Sequence, residues 1–256
     1  MSRVVDTVTV ARMSVALVIA LTFLLAGLVK GVIGLGLPTV AVGLLSLVMK
    51  PAQAAALLVV PSLVTNVSQL LAGPRFGALL RRLSGMMLGI CVGTAAGAGW
   101  LTGGDSGRAT GLLGIALMIY AAAGLATLRL AVPPRAERFL SPLVGATTGL
   151  VSAATGVFVL PAVPYLQALG LDREDLVQAL GLSFTVSTLA LAFVLARDGA
   201  LELSSAGASL LALAPALAGM LLGQWLRARA SPRVFRICFF VGLLALGGHL
   251  ALRAAL

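Results

Sequence analysis

Apolar residues run in blocks along this chain, and the blocks are long. Six of them, at about 52–72, 83–101, 109–128, 176–196, 205–226 and 237–254, approach the ~20 residues needed to cross a bilayer core as helix. Two further apolar stretches are interrupted. The first, roughly 13–49, contains Lys30, Gly31, Gly34, Gly36 and Pro38; the second, roughly 142–170, contains Gly156, Pro161 and Pro164. Glycine and proline at such spacings break helices, so each stretch predicts a broken or re-entrant hairpin. The expected fold is all-α: a polytopic membrane helix bundle of 8–10 membrane segments.

Composition agrees with the pattern. Of 256 residues, 60% are hydrophobic and 10% charged, with mean hydropathy +1.10. So little charge cannot cover a water-facing surface, which excludes soluble enzymes and nucleic-acid modules. Arg3 and Arg12 precede the first apolar run, but no small-residue cleavage site follows, so the segment is read as retained rather than as a signal peptide. Cys91 and Cys238 lie singly in apolar runs and define neither a disulfide framework nor a metal site.

The net charge of +10 is mainly an orientation signal. Arg75, Arg81 and Arg82 form one basic group, Arg129, Arg135 and Arg138 a second, and Arg227, Arg229, Arg233 and Arg236 a third. The positive-inside rule places all three in the cytoplasm. Single crossings counted back from Arg227 put loop 197–204 outside and loop 171–175 inside. The stretch 142–170 must then enter and return on one side. Each half becomes a hairpin plus three crossings, the first hairpin opening outside and the second inside. The two halves, residues 1–132 and 133–256, are expected to be inverted repeats.

Sequence matches support the duplication. Gly27-Leu28-Val29 followed by Gly34 recurs 122 residues later as Gly149-Leu150-Val151 followed by Gly156. Pro38 corresponds to Pro161 and Ala56-Leu57 to Ala179-Leu180, at an offset of 123. Inverted repeats with broken helices are a signature of secondary transporters, whose sites lie at the repeat interface near the midplane.

Lys30 is the charge that topology does not absorb. A lysine within the membrane costs about 2.5–3.5 kcal/mol on insertion scales, so it should face a cavity or a partner. It reads either as the counter-charge for an anionic substrate or as a lysine that snorkels or packs on backbone carbonyls. Gly31, Gly34 and Gly36 allow an unwound backbone whose free N–H groups suit an anion, or simply close helix packing. Ser62, Thr65, Asn66 and Gln69 follow at i, i+3, i+4 and i+7, one face of a helix. In the second half Ser152 is the mate of Lys30, Thr155 and Gly156 flank the break, and Ser183, Thr185, Ser187 and Thr188 match the polar face. Neutral hydrogen-bond donors of this kind suit a small oxyanion, the alternative being interhelical contacts. Gly89, Gly93 and Gly97 recur every fourth residue as a packing face. Pro61 and Pro215 should kink their helices, and His249 reads as a hydrogen-bonded bundle residue.

Absences narrow the chemistry. The carboxylates Asp6, Asp105, Glu137, Asp172, Glu174, Asp175, Asp198 and Glu202 are all expected at the N-terminus or in loops. A cation or proton antiporter normally buries Asp or Glu along its path. There is no His-Glu-x-x-His motif and no Walker A sequence. Neither a catalytic residue, a metal nor a cofactor is assigned.

The glycine-rich motif Ala26-Gly-Leu-Val-Lys-Gly-Val-Ile-Gly-Leu-Gly-Leu-Pro38 resembles the first-helix motif of the TauE/SafE sulfite exporter family. Gly149-Leu-Val-Ser-Ala-Ala-Thr-Gly-Val-Phe-Val-Leu-Pro161 resembles that family's second-half motif, as does Ala179-Leu-Gly-Leu-Ser-Phe-Thr-Val-Ser187. The family's usual run of three glycines is interrupted here by Leu35, and Val157-Phe158 stand in the second copy. The resemblance implies a multi-pass protein of the bacterial inner membrane that moves sulfite, sulfoacetate or a related organosulfur anion. Its implied partners are that small anion and the lipid bilayer, with no nucleic acid and with homo-oligomerisation left open. The competing reading is a membrane scaffold or assembly factor with no flux of its own.

Overall fold

The computed structural model describes residues 2–103, 106–126, 130–201, 203–227, 229 and 232–256, with backbone alone for 2–12, 203–206 and 232. Asp105, Arg129 and Glu202 lie outside the described residues, as do the side chains of Arg3, Asp6 and Arg12. The described chain is all-helical. Its elements are α1 (Ser2–Ile33), α2 (Leu37–Leu45), α3 (Pro51–Leu71), α4 (Phe76–Arg82), α5 (Ser84–Ala96), α6 (Ser106–Leu125), α7 (Pro134–Thr155), α8 (Ala162–Ala168), α9 (Arg173–Arg197), α10 (Leu203–Arg227) and α11 (Pro232–Ala255).

Six helices are long and apolar enough to cross a membrane: Met13–Ile33, Pro51–Leu71, Ser106–Leu125, Arg173–Arg197, Gly207–Arg227 and Arg233–Ala255. Five match the apolar runs read from the sequence. The sixth expectation, a span over 83–101, is met only by α4 and α5 together, a bent pair long and apolar enough to be a broken span or a re-entrant segment. There α5 stops at Ala96, Gly99 turns at φ 85°, and α4 meets α5 at 63°. The sixth single-helix span is α1, which runs without a break through Lys30 and Gly31. The Gly34 N–H still donates to the Lys30 carbonyl at 2.7 Å. The first break therefore lies at Gly34–Gly36, where Gly34 and Gly36 adopt φ 88° and 107°, left-handed values that side chains resist. The hairpin at 13–49 has unequal arms, a full-length α1 and a short α2.

The second hairpin also differs in extent. α7 begins at Pro134, eight residues before the expected 142, because proline is favoured in the first helical turn. Its break falls at Gly156–Pro161, while Pro164 sits inside α8. Glu137 thus lies on a helix, as do Glu174 and Asp175 in the first turn of α9, rather than in loops. Acids there complement the helix dipole. His249 is corrected too: it is exposed on the outer face of α11.

Polar contacts sort the helix ends. At one end Arg75 pairs with Asp175 at 3.0 Å, and Arg82 grips Glu137 through two bonds of 2.7 and 2.8 Å. Here Gln178 donates to the carbonyls of Leu70 and Gly73 at the C-terminus of α3, supplying donors that the ended helix lacks. At the other end Thr102 donates to Asp198, and Arg253 to the Leu47 carbonyl. α1 therefore ends near the face at which α7 begins.

The bundle interlocks its halves. α1 packs on α10, α5 on α7, α3 on α9 and α6 on α11. The first two contacts repeat one arrangement. A Cβ on Gly27 would strike the Ala216 carbonyl and the Met220 N, and one on Gly149 would strike the Ile90 carbonyl and the Thr94 N. Reciprocally, Gly219 sits on Leu24 and Leu28, and Gly93 on Ala146. The Gly89/Gly93/Gly97 face thus packs along α7, as its spacing predicts. We expect Gly93→Val to lower the melting temperature in detergent, since overpacking of this kind costs about 1–3 kcal/mol. Gly242→Val, with open space around it, should leave the melting temperature unchanged.

Candidate functional site

Pro61 shapes the site from within α3. It has no N–H to give the Leu57 carbonyl one turn back. Ser209 of α10 takes that place, donating to Leu57 O at 2.8 Å while accepting from Val60 N at 3.1 Å. One turn beyond Pro61, the face Ser62–Thr65–Asn66 turns inward, all three at 0% exposure.

Lys30 meets that face from the last turn of α1. Its side chain is buried, at 3% exposure, and Nζ donates to Thr65 Oγ1 at 3.0 Å and to Asn66 Oδ1. Proton accounting fixes the rest. Thr65 spends its own hydroxyl proton on backbone carbonyls, Pro61 O at 2.7 Å being the nearer. Asn66 Nδ2 donates to Ser62 Oγ at 2.9 Å and to Thr188 Oγ1 at 3.4 Å. Thr188 donates to the Phe184 carbonyl at 2.7 Å, so it accepts from Ser62 at 3.2 Å. One network thereby joins α1, α3 and α9, and an ammonium has a third donor left for a ligand.

A cavity of about 580 Å³ leads to this lysine. Gly31, Gly34 and Gln69 line it beside Lys30, and Gln224 and Arg227 line it from exposed positions on α10. Gln69 Nε2 ties the Gly34 carbonyl at 2.7 Å, while its Oε1 is buried without a partner. Gly31 also sits against Met220 and Gln224, so its missing side chain lets α1 approach α10.

The sequence-predicted residues divide into three groups. Lys30, Gly31, Gly34, Ser62, Thr65, Asn66, Gln69 and Thr188 converge on the cavity or its network. Gly36 does not: a Cβ there would meet Val29 and Phe239, an apolar contact behind the break. Ser152, Thr155, Gly156, Ser183, Thr185 and Ser187 are buried but line no part of this cavity. Thr155 instead organises the second break, accepting from Val157 N at 3.1 Å and donating to Val151 O at 2.7 Å. Gln224, Arg227 and Ser68 are cavity residues that sequence reasoning missed, although an arginine at the edge of an apolar run was in view.

Six bilayer-length apolar helices among the described residues, with a buried lysine in a cavity lined from α1, α3, α9 and α10, define a multi-pass membrane protein with an internal site. A family model described as sulfite exporter TauE/SafE matches residues 19–250, and the chain belongs to that family of membrane transporters. No curated protein and no solved structure matches the chain.

Proposed function

We propose that the protein is a secondary transporter of a small anion, sulfite, sulfoacetate or a related organosulfur anion, working by alternating access in the bacterial inner membrane. The observation that carries this reading is Lys30, buried against Thr65 and Asn66 at the head of the cavity. A lysine so placed is expensive unless it has a task, and a spare ammonium donor among neutral hydroxyl and amide groups suits an oxyanion. Gln69 adds an amide beside it. Arg227, at the mouth, draws anions towards the opening.

The halves 1–132 and 133–256 serve in this reading as inverted repeats. The opposed directions of α1 and α7, and the doubled glycine contacts of α1 with α10 and α7 with α5, support it. The cavity mouth lies by Arg227, and the positive-inside rule makes that face cytoplasmic.

Flux into proteoliposomes tests the proposal with sulfite, sulfoacetate, taurine and sulfate. Saturable uptake of sulfite or sulfoacetate is expected, and taurine, whose ammonium would oppose Lys30, should be taken up poorly. Unchanged saturable uptake in Lys30→Ala and Asn66→Ala would sink the site. No flux of any of the four, with one protein copurifying tightly, would favour a scaffold instead.

A further inference from the structure

Six buried hydroxyls have no hydrogen-bond partner among the described residues; Ser46 and Tyr120 stand apart, and the other four lie on two helices, Thr148 and Ser152 on α7 and Ser183 and Ser187 on α9. Each of these four is at 0% exposure. They form two pairs one helical turn apart, on helices that pack together. A membrane interior offers no water to satisfy such groups, so a set of four calls for an explanation.

Their direction is fixed by neighbouring contacts. Gly181 and Thr188 face α3, where they meet Leu70, Ser62 and Asn66. Ser183 lies roughly 200° round α9 from Gly181, and so faces away from α3; α5 and α7 are among the helices that α9 packs against besides α3. On α7, Thr148 and Ser152 flank Gly145 and Gly149, which sit directly on α5. All four hydroxyls border the seam between α5, α7 and α9.

That seam is the second-half counterpart of the cavity at Lys30. The offset of 122 residues carries Lys30 onto Ser152 and Thr65 onto Ser187. The matching glycine contacts carry Met220, which lines the cavity, onto Thr94. The first seam is open, and the second is shut. Lys30 lines the cavity in the first, whereas in the second Thr148, Ser152, Ser183 and Ser187 line no part of it and are each at 0% exposure.

We propose that Thr148, Ser152, Ser183 and Ser187 line the opposite-facing half of the permeation path, a neutral hydroxyl-lined passage for a hydrated oxyanion that opens between α5, α7 and α9 when the Lys30 cavity closes. The proposal rests on the transport reading above. It gives the unpartnered hydroxyls their partners, the anion and its water, in the state that this structure does not adopt. It also makes the path asymmetric, with lysine and arginine on one side and hydroxyls alone on the other.

Thiol labelling tests it. Cys91 and Cys238, both on the outer surface, are first replaced by alanine. Ser152→Cys, Ser187→Cys and, as the reference for the open cavity, Ser68→Cys are then labelled with a membrane-impermeant maleimide from each face of oriented vesicles. Lys50→Cys and Asp172→Cys mark the two faces. We expect Ser152→Cys and Ser187→Cys to react from the Lys50 face, with sulfite changing the rate about tenfold as it shifts the population of states. Ser68→Cys should react from the other face. A transporting variant whose residue 152 or 187 reacts from neither face, or only from the Asp172 face, overturns the proposal.

A second measurement covers variants that label poorly. Ser152→Val and Ser187→Val should lose sulfite flux while keeping the sulfite-induced thermal shift, because they block passage and leave the Lys30 site intact. Full flux in both also overturns the proposal. Failure of the transport reading looks different: wild-type protein would then show neither flux nor a thermal shift with sulfite.

Discussion

Lys30→Met is expected to lower initial sulfite uptake at least about 100-fold while the protein stays folded. A hydrogen bond to a charged group contributes about 1.5–3 kcal/mol, and about 2.8 kcal/mol corresponds to 100-fold. The anion would lose its charge-assisted bond to Nζ and the field of the nearest buried cation together. Methionine is the apt replacement because it is unbranched and similar in length, so it fills the channel between Thr65 and Asn66. The two groups it leaves, Thr65 Oγ1 and Asn66 Oδ1, lose a donor, which destabilises. Relief of a buried ammonium, about 2.5–3.5 kcal/mol on insertion scales, acts the other way. The melting temperature should therefore move little. Lys30→Arg should recover only part of the uptake, since a wider planar head must fit beside Gly31 and Gly34. Radiolabelled sulfite uptake into proteoliposomes, read beside size-exclusion profiles, checks the prediction. Wild-type uptake by Lys30→Met would remove the lysine from the mechanism.

Lys30, Thr65 and Asn66 were legible in the sequence because membrane physics makes them conspicuous. A charge in an apolar run is costly, and an i, i+3, i+4, i+7 polar stripe has to face something. The helix through Lys30 was harder to read. Both glycine 31 and glycine 34 signal a break, but only Gly34 and Gly36 take left-handed backbone angles; Gly31 is there for the approach of α10. Nothing local distinguishes the two uses. Arg227 was hidden for a related reason. An arginine at the end of a span marks orientation by default, and only the packing of α10 on α1 brings it to the cavity. Ser209 and Gln178 are tertiary in the same sense. Each satisfies backbone groups of a helix more than a hundred residues away, and no spacing rule links Ser209 to Pro61. The apolar run at 83–101 forms a bent pair with α4 instead of one straight helix, because hydropathy counts apolar residues and does not see where a helix starts, bends or stops. His249 failed because a single polar residue in an apolar run says nothing of which face it occupies.

Asn66→Asp should be as inactive as Lys30→Met for the opposite electrostatic reason. The substitution hardly changes shape, and it places a carboxylate oxygen where Asn66 Oδ1 already receives Lys30 Nζ. The lysine would then carry a tethered anion of its own, present at an effective concentration far above that of any free substrate. Uptake of sulfite should fall about 100-fold or more. The network can accept the change. Ser62 now donates to Thr188 and can turn its proton to the new oxygen, while Thr188 keeps its bond to Phe184 O. Thermal denaturation should therefore show a melting temperature at or above that of the wild type. Loss of flux with retained stability separates a blocked site from a broken fold. The double variant Lys30→Met/Asn66→Asp sharpens the point. It leaves a buried carboxylate with no cation, an arrangement that destabilises by about 3–5 kcal/mol, so it should melt well below either single variant. If the double variant is as stable as Asn66→Asp alone, residue 66 and Lys30 are not coupled, and the anion site must be sought elsewhere in the cavity.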